Sequence, residues 1–404
     1  MLVKQPHELI SDEVLEVDFR NSIHKDALQK WYEAEGIGTA EVITGNGKTF
    51  IAMHALCMIP PNSTVLIAYE RNNRDQSFMV EGQKYKEIFG TNPLEDLGHD
   101  ITFECYQSYK RLQGNTYDLI IADEIHDSLT PQYGKLYIQT KFTHILGLSA
   151  TIDTSTTYRT SDGYEFTKGD LINKVAPVIY SYMKFNRDII IYKVKHEADD
   201  KYEVDIKGKK YNEVSAIEYY KSKLKYYGMR RNSFMINKIM AEYSKILYDL
   251  RSKIGLAKKI LKDVTKGQVI VFGNNISFIQ KIVPYVVSYR SGKYQNQQLI
   301  ERFRKGHIEQ IGSFHKLKQG ENLGYVDAII ITSYFSKSKD LIQRIGRGTR
   351  GGEFGPLKVI IFCTEGTREE GWFNKMMEGL EFADYQLVKC NGFMDLKQKY
   401  NELD

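Results

Sequence analysis

The segment TAEVITGNGKTFIAMHAL (residues 39–56) constrains the fold of this chain more than any other stretch. An apolar run leads into Thr44-Gly45-Asn46-Gly47-Lys48-Thr49, and an apolar pattern of helical spacing follows. Glycines let the backbone curl so that its N–H groups close around a phosphate. The start of the next helix adds unpaired N–H groups and the positive end of its dipole. A strand, such a loop and a helix make a phosphate cradle. In it Lys48 reaches the β- and γ-phosphates of a nucleoside triphosphate, and the Thr49 hydroxyl binds Mg²⁺. The fullest form of the pattern opens on a glycine where Val42 stands here.

A cradle of this kind belongs to a parallel sheet, and the chain supplies the strands for one. Short β-branched runs alternate with helical stretches early on: VLIAY (65–69), DLIIADE (118–124) and HILGLSAT (144–151). The pattern returns late, in QVIVFG (268–273), VDAIIITSY (326–334) and LKVIIFCT (357–364). Apolar strands alternating with helices predict parallel α/β structure, and two blocks of them predict two α/β lobes. We expect an N-terminal arm over 1–19, a first lobe over 20–190, a basic, partly helical linking segment over 191–264, and a second lobe with a C-terminal helical tail over 265–404. Residues 155–170 read as a hairpin around Ser161-Asp162-Gly163, residues 188–211 as two short polar strands, and residues 213–262 as helices.

Length and composition fit two or three domains with real cores: 404 residues, 42% of them hydrophobic. Cys57, Cys105, Cys363 and Cys390 lie far apart without metal-ligand spacing, which fits a reducing cytoplasm. The opening MLVKQPHELISDE lacks the apolar core of a signal peptide, and no apolar run approaches the roughly 20 residues of a membrane span. The net charge of +5 is mild but uneven, with 18 Lys and Arg against 9 Asp and Glu between Lys193 and Lys262. Lys207, Lys209, Lys210, Lys221, Lys223 and Lys225 are interleaved there with Tyr219, Tyr220, Tyr226 and Tyr227. Such a segment either grips a nucleic-acid backbone or packs its tyrosines on a lobe with its lysines in solvent.

The strand TYDLIIADEIHDSL (116–129) ends in Asp123-Glu124-Ile125-His126. Strand ends of an open α/β sheet deliver side chains to its ligand crevice. Asp123 suits a Mg²⁺ ligand, and Glu124 suits the group that orients or deprotonates an attacking water. In isolation the same residues would serve as an acidic helix cap. His126 reads either as a coupling residue or as a packing histidine.

With these residues assembled, the chain resembles the superfamily 2 helicases and translocases over roughly residues 20–375. Gly45–Thr49 resembles motif I and Asp123–His126 the DExH form of motif II. Ser149-Ala150-Thr151 resembles motif III, Phe272-Gly273-Asn274 motif IV, Gly320-Glu321-Asn322-Leu323 motif V, and Gln343-Arg344-Ile345-Gly346-Arg347-Gly348-Thr349-Arg350 motif VI. The resemblance implies two RecA-like lobes and an ATPase using ATP and Mg²⁺. Arg347 and Arg350 would be arginine fingers from the second lobe, with Gln343 reporting lobe closure. His126, Ser149, Thr151 and Gly320 would couple nucleotide state to nucleic-acid grip. Backbone contacts would come from Arg71, Asn72, Gln107 and Ser108, joined by Lys221, Lys223 and Lys225. His24 stands about where many relatives place an adenine-reading Gln, so adenine selectivity does not carry over with the resemblance. Cys105 stands where Thr is common in motif Ib.

The stretch from His315 to Arg350 further resembles phage recombination and branch-migration helicases and the motor subunits of restriction enzymes. That implies DNA rather than RNA as partner, replication or recombination proteins as associates, a monomer, no membrane, and a cytoplasm, the host's if phage-encoded. Two rivals stand beside this expectation, an RNA helicase and an ATP-gated clamp with slow turnover.

Overall fold

The structure, a computed structural model, describes residues 2–10, 20–70, 74–159, 163–288, 293–314, 323–334, 338–349, 355–381 and 383–403. The chain divides into two compact units, Met1–Lys184 and Phe185–Asp404.

In the first unit the strands are β1 (Ile37–Val42), β2 (Thr64–Tyr69), β3 (Asp100–Cys105), β4 (Thr116–Asp123), β5 (Lys141–Ser149), β6 (Thr157–Arg159), β7 (Glu165–Thr167) and β8 (Val178–Tyr182). Six of them form a parallel sheet in the order β3-β2-β4-β5-β1-β8. Because side chains alternate across a strand, each apolar run feeds two cores. Val65, Ile67, Leu119, Ile121, Leu146 and Leu148 pack on one face with Trp31, Ile51 and Met53. Leu66, Ala68, Ile120, Ala122 and Ile145 pack on the other with Tyr106, Tyr109 and Tyr137. This two-sided burial is why the runs read as continuously apolar rather than alternating. The described part of the N-terminal arm is not loose: Val3 N–H donates to the Met58 carbonyl at 2.8 Å, and Ile10 is buried in the first core. β6 and β7 pair antiparallel as the expected hairpin, with Arg159 opposite Glu165; Ser161 and Asp162 of its turn lie outside the described residues.

The second unit holds β9 (Ile189–His196), β10 (Glu203–Ile206), β11 (Lys209–Asn212), β12 (Val269–Gly273), β13 (Val286–Val287), β14 (Gln310–Phe314), β15 (Ala328–Ile331), β16 (Leu357–Thr364) and β17 (Gln386–Cys390). Seven form a second parallel sheet, β13-β14-β12-β15-β16-β9-β17. Here the expectation from sequence is corrected. Ile189–His196 is no polar strand of a linker. It lies inside the second sheet, paired along its whole length with β16 and on its other side with β17. Its apolar start, Ile189-Ile190-Ile191-Tyr192, is buried like any central strand. The expectation fails because Lys193, Lys195 and His196 give the second half of the strand a polar look, and strand pairing with residues far along the chain leaves no local signal.

The rest of the expected linking segment also belongs to this unit. β10 and β11 form an antiparallel hairpin closed by Lys207 and Gly208, both with positive φ (56° and 82°), the geometry that suits a two-residue turn between twisted strands. The helices Glu213–Met229 and Ser233–Tyr248 pack together through Ala216, Ile217, Tyr220, Ile239, Tyr243 and Leu247. The helix Arg251–Asp263 puts Ala257, Ile260 and Leu261 into the core of the second sheet.

A buried polar network ties these helices to the sheet. His196 Nδ1 lies 3.0 Å from Thr364 Oγ1, and its Nε2 lies 3.0 Å from Ser252 Oγ. The Ser252 hydroxyl donates to Glu213 Oε2 (2.5 Å), so Nε2–H must donate to Ser252, and Nδ1 accepts from Thr364. Lys253 Nζ donates to Glu369 Oε1 at 2.6 Å, with both side chains fully buried, and Thr364 N–H donates to Glu369 Oε2 at 2.9 Å. This arrangement suits a neutral imidazole, and burial, with the charge of Lys253 added, holds His196 down to about 3. An unfolded histidine titrates near ~6.5. Between these values the unfolded chain takes up a proton that the folded one refuses, so stability falls as pH falls. From pH ~6.5 to ~5 the loss is about 2 kcal/mol. Denaturant unfolding at pH 7.5 and 5.0 should show this slope in the wild type and a flatter one in His196→Gln; equal slopes would remove His196 as its source.

Candidate nucleotide site

β1 ends at Val42, and the chain turns through Thr44–Gly47 into the helix Lys48–Met58. Gly45 (φ 108°) and Gly47 (φ 75°) take left-handed conformations that side chains resist. At Gly47 a Cβ would also stand 2.7 Å from His24 Nε2, so the helix Arg20–Glu33 closes the space above the loop. His24 Nε2 lies 2.9 Å from the Asn46 carbonyl, and Asn46 Nδ2 donates to the Lys184 carbonyl at 3.1 Å. The loop is thus held from outside. Thr44 Oγ1 and Asn46 Oδ1 are buried without a hydrogen-bond partner among the described residues. Buried polar atoms of this kind call for a ligand or water.

The lysine and the acidic strand end meet inside this unit. Lys48 Nζ donates to the Val42 carbonyl (3.2 Å) and lies 3.8 Å from Glu124 Oε1, both side chains nearly buried. Glu124 has a left-handed backbone, φ 53° and ψ 49°, although it is not glycine. Such a conformation costs on the order of 1–3 kcal/mol and persists where the surroundings impose it, often at working sites. Here it turns the chain sharply after β4, so that Asp123 ends the strand and Glu124 points back toward Lys48. His126 Nδ1 lies 3.4 Å from Glu124 Oε2 and 2.6 Å from Ser149 Oγ. The Ser149 hydroxyl donates to the Thr151 carbonyl at 3.0 Å, which leaves His126 Nδ1 as the donor to that hydroxyl. Close polar contacts therefore line up from Lys48, ion-paired with Glu124, to His126 at 3.4 Å from that carboxylate, and on by hydrogen bonds through Ser149 to Thr151.

Two supports have no motif in the sequence. Glu41, one residue before the end of β1, accepts from Ile152 N–H (2.8 Å) and from the Ser181 hydroxyl (3.1 Å), fixing the segment just past Thr151. The available signal was a charge inside an apolar strand. Lys168 Nζ donates to the His126 carbonyl at 2.8 Å, from a helix that nothing in the local pattern connects with the acidic strand. Gln107 and Ser108 lie on the short helix Tyr106–Leu112 after β3, Gln107 exposed and Ser108 half-buried. The Tyr106 hydroxyl of the same turn donates to the Asp123 carbonyl (2.8 Å), joining this element to the acidic strand end.

Within the second unit, Gln343 and Arg347 occupy one face of the helix Ser338–Gly348, four residues apart, and both are nearly buried. Neither end of the Gln343 amide has a hydrogen-bond partner among the described residues. Arg344 donates to the Ser333 carbonyl (2.9 Å) and stacks on Phe272. Arg187, not singled out by any motif, clamps the end of this helix by donating to the carbonyls of Gly348 (2.9 Å), Val326 (2.6 Å) and Gly355 (2.6 Å). Lys221 pairs with Glu218 (2.7 Å), Lys223 lies over the Tyr219 ring, and Lys225 is exposed. Arg71, Asn72, Gly320 and Arg350 lie outside the described residues. Among the described residues no three His, Cys, Asp or Glu cluster as a self-sufficient metal site, and no helix is long and apolar enough to cross a membrane.

Residues 18–154 match the family described as "Type III restriction enzyme, res subunit", and residues 252–352 match "Helicase conserved C-terminal domain". The chain is 23% identical to the DNA 3'-5' translocase XPB2 of Sulfurisphaera tokodaii, over 90% of this chain and 85% of that protein. Among solved structures it is similar to a variant of S. cerevisiae Dbp5 bound to RNA and ADP BeF3, with TM-score 0.62 and 12% identity over 100% of this chain and 97% of that one. It is also similar to the Pyrococcus furiosus Hef helicase domain, with TM-score 0.52 and 14% identity over 91% of this chain and 100% of that one. With the phosphate loop, the acidic strand end and two parallel-sheet units in place, the chain belongs to the superfamily 2 helicases and translocases, nucleic-acid-dependent ATPases built on two RecA-like lobes.

Proposed function

We propose that this protein couples ATP hydrolysis to movement on, or remodelling of, DNA. The observation that carries the reading is the clustering of Lys48 with Glu124 (3.8 Å) and of Glu124 with His126 (3.4 Å), with His126 hydrogen-bonded to Ser149 and Ser149 to Thr151. Lys48 neutralises the β- and γ-phosphates, and N–H groups of the loop hold their oxygens. Thr49 and Asp123 would hold Mg²⁺, which draws negative charge from the phosphate oxygens when bound. Two protein ligands suffice, because Mg²⁺ usually keeps waters and takes substrate phosphates for the rest of its shell. Glu124 accepts the proton of the attacking water. His126, bridging Glu124 and Ser149, carries the nucleotide state toward Thr151. Arg347, with Arg350, stabilises the charge that spreads over the γ-phosphate, and Gln343 senses the same group. His24 serves the loop rather than the base: its ring nitrogen faces the Asn46 carbonyl.

DNA is favoured over RNA by the likeness to a DNA translocase along most of both chains. The RNA-bound structural relative shares only the fold. Gln107 and Ser108 would touch the backbone. ATPase rates without nucleic acid and with single-stranded DNA, branched DNA and RNA test this. Stimulation by RNA alone would overturn the DNA assignment, and no stimulation by any of them would favour the clamp.

Lys48→Ala should cut hydrolysis by ~10²-fold or more with the fold intact, since one preorganised charge on the phosphates is lost. Near wild-type turnover in a folded variant would end the phosphate-loop assignment.

Glu124→Gln should bind ATP yet turn it over ~10²–10⁴-fold more slowly, because the amide keeps the shape but accepts no proton. Loss of ATP binding, measured with a fluorescent nucleotide, would make Glu124 structural instead.

Arg347→Ala should lower kcat by ~10³-fold or more and spare most ATP affinity, as expected of a group acting late in the reaction. Weakened binding with unchanged kcat would contradict that role.

A further inference from the structure

The helical pair over residues 213–248 ends in an exposed tip that is both apolar and basic. Residues 228–234 are all exposed in succession. Phe234 is 75% exposed, Met229 71% and Tyr226 43%, three large apolar side chains around one turn. The turn itself is ordered: Arg231 takes a left-handed φ of 50°, its N–H donates to the Gly228 carbonyl (3.0 Å), and Asn232 caps the second helix by accepting from Met235 N–H. At the other end the pair is anchored by its own core and by the Glu213–Ser252–His196 network. The result is an anchored helical hairpin with an exposed apolar end.

Charge around this end is one-sided. Between Glu218 and Glu242 the sequence holds Lys221, Lys223, Lys225, Arg230, Arg231 and Lys238 and no Asp or Glu. Lys221 is paired with Glu218, and Lys223 lies over Tyr219. Lys225, Arg230, Arg231 and Lys238 are exposed, and among the described residues none has a carboxylate partner; Arg230 instead stacks on Tyr226 at 4.2 Å. Four unneutralised cations call for an anionic partner, and exposed Phe, Met and Tyr call for flat apolar surfaces beside that charge. Unstacked bases flanked by phosphates meet both demands, and apolar wedges of Phe or Met between bases are an established way of unstacking and kinking a duplex.

We propose that this tip is a nucleic-acid wedge: Lys225, Arg230, Arg231 and Lys238 hold phosphates on either side of a strand junction, while Met229 and Phe234 pack against its terminal bases. The proposal rests on the nucleic-acid-dependent reading above and adds where strands would be parted. A forked DNA with 2-aminopurine at the junction, bound without ATP, tests it. Wild type should brighten the junction probe and leave a probe deep in the duplex unchanged. The double variant Met229→Ala, Phe234→Ala should keep fork affinity within about threefold but lose the signal. Changing Lys225, Arg230, Arg231 and Lys238 together to Gln should weaken fork binding and lower the slope of log affinity against log salt by roughly 0.7–0.9 per lost contact. Both variants should retain the ATPase activity seen without nucleic acid, since none of these residues belongs to the phosphate loop, the acidic strand end or the helix bearing Gln343 and Arg347. If DNA stimulates the wild-type ATPase but the tip variants match wild type in signal, affinity and salt slope, the wedge is wrong and the tip is left as a protein-docking surface. A wild type that leaves the junction probe dark would equally remove the wedge. Absence of any nucleic-acid stimulation in wild type would instead overturn the broader functional reading.

Discussion

Everything at the working end of this molecule depends on strands running the same way. All six strands of the first sheet and all seven of the second are parallel. A parallel sheet gathers every strand's C-terminal end along one edge, and in such folds ligands bind there. In the first unit that edge presents the phosphate loop after β1, the Tyr106 turn after β3, Asp123 at the end of β4 with Glu124 just past it, and Ser149 at the end of β5. β1 lies beside β5, and β5 lies beside β4. Residues far apart in the chain thereby meet within hydrogen-bonding or ion-pair distance, and no loop has to be long to bring them there.

The site couples its parts by geometry imposed at one residue. Glu124 carries a backbone conformation that an L side chain resists, and its carboxylate is shared between Lys48 on one side and His126 on the other. On the proposed reading, a ligand that draws Lys48 onto phosphate would change the charge facing Glu124, next to His126, Ser149 and the segment that Glu41 pins at Ile152. In a region of low dielectric these short polar links interact strongly. On the reading proposed above, the same side chains would serve both hydrolysis and the signal it sends.

The second unit solves a different problem. β9 and β16 are distant in sequence yet form a long pairing, and closing such a loop costs entropy that the contact must offset. The His196–Ser252–Glu213 chain and the Lys253–Glu369 pair stand at the end of those strands and join them to three helices. A fully buried ion pair is weak evidence for stability by itself, because desolvation offsets much of its attraction. Its removal by halves is nevertheless costly, so it disfavours alternative packings of the helices on the sheet. That rigidity also holds the helical pair at a fixed attitude to its own sheet.

Local patterns determined much of this protein. The glycines and lysine of the phosphate loop, the apolar strand ending in Asp123 and Glu124, and the helix bearing Gln343 and Arg347 are each legible in a window of a few residues, because backbone conformation and strand or helix period are short-range properties. The sequence alone also marked 213–262 as helical and basic. Tertiary structure alone decided that Ile189–His196 completes the second sheet, that His24 braces the phosphate loop, and that Glu41, Lys168 and Arg187 hold the site's supports. It alone also decided which cations near the helical tip are paired with neighbours and which are left over. Each of these depends on a partner far along the chain or on the other side of a turn, and the residue's own neighbours carry no record of that partner.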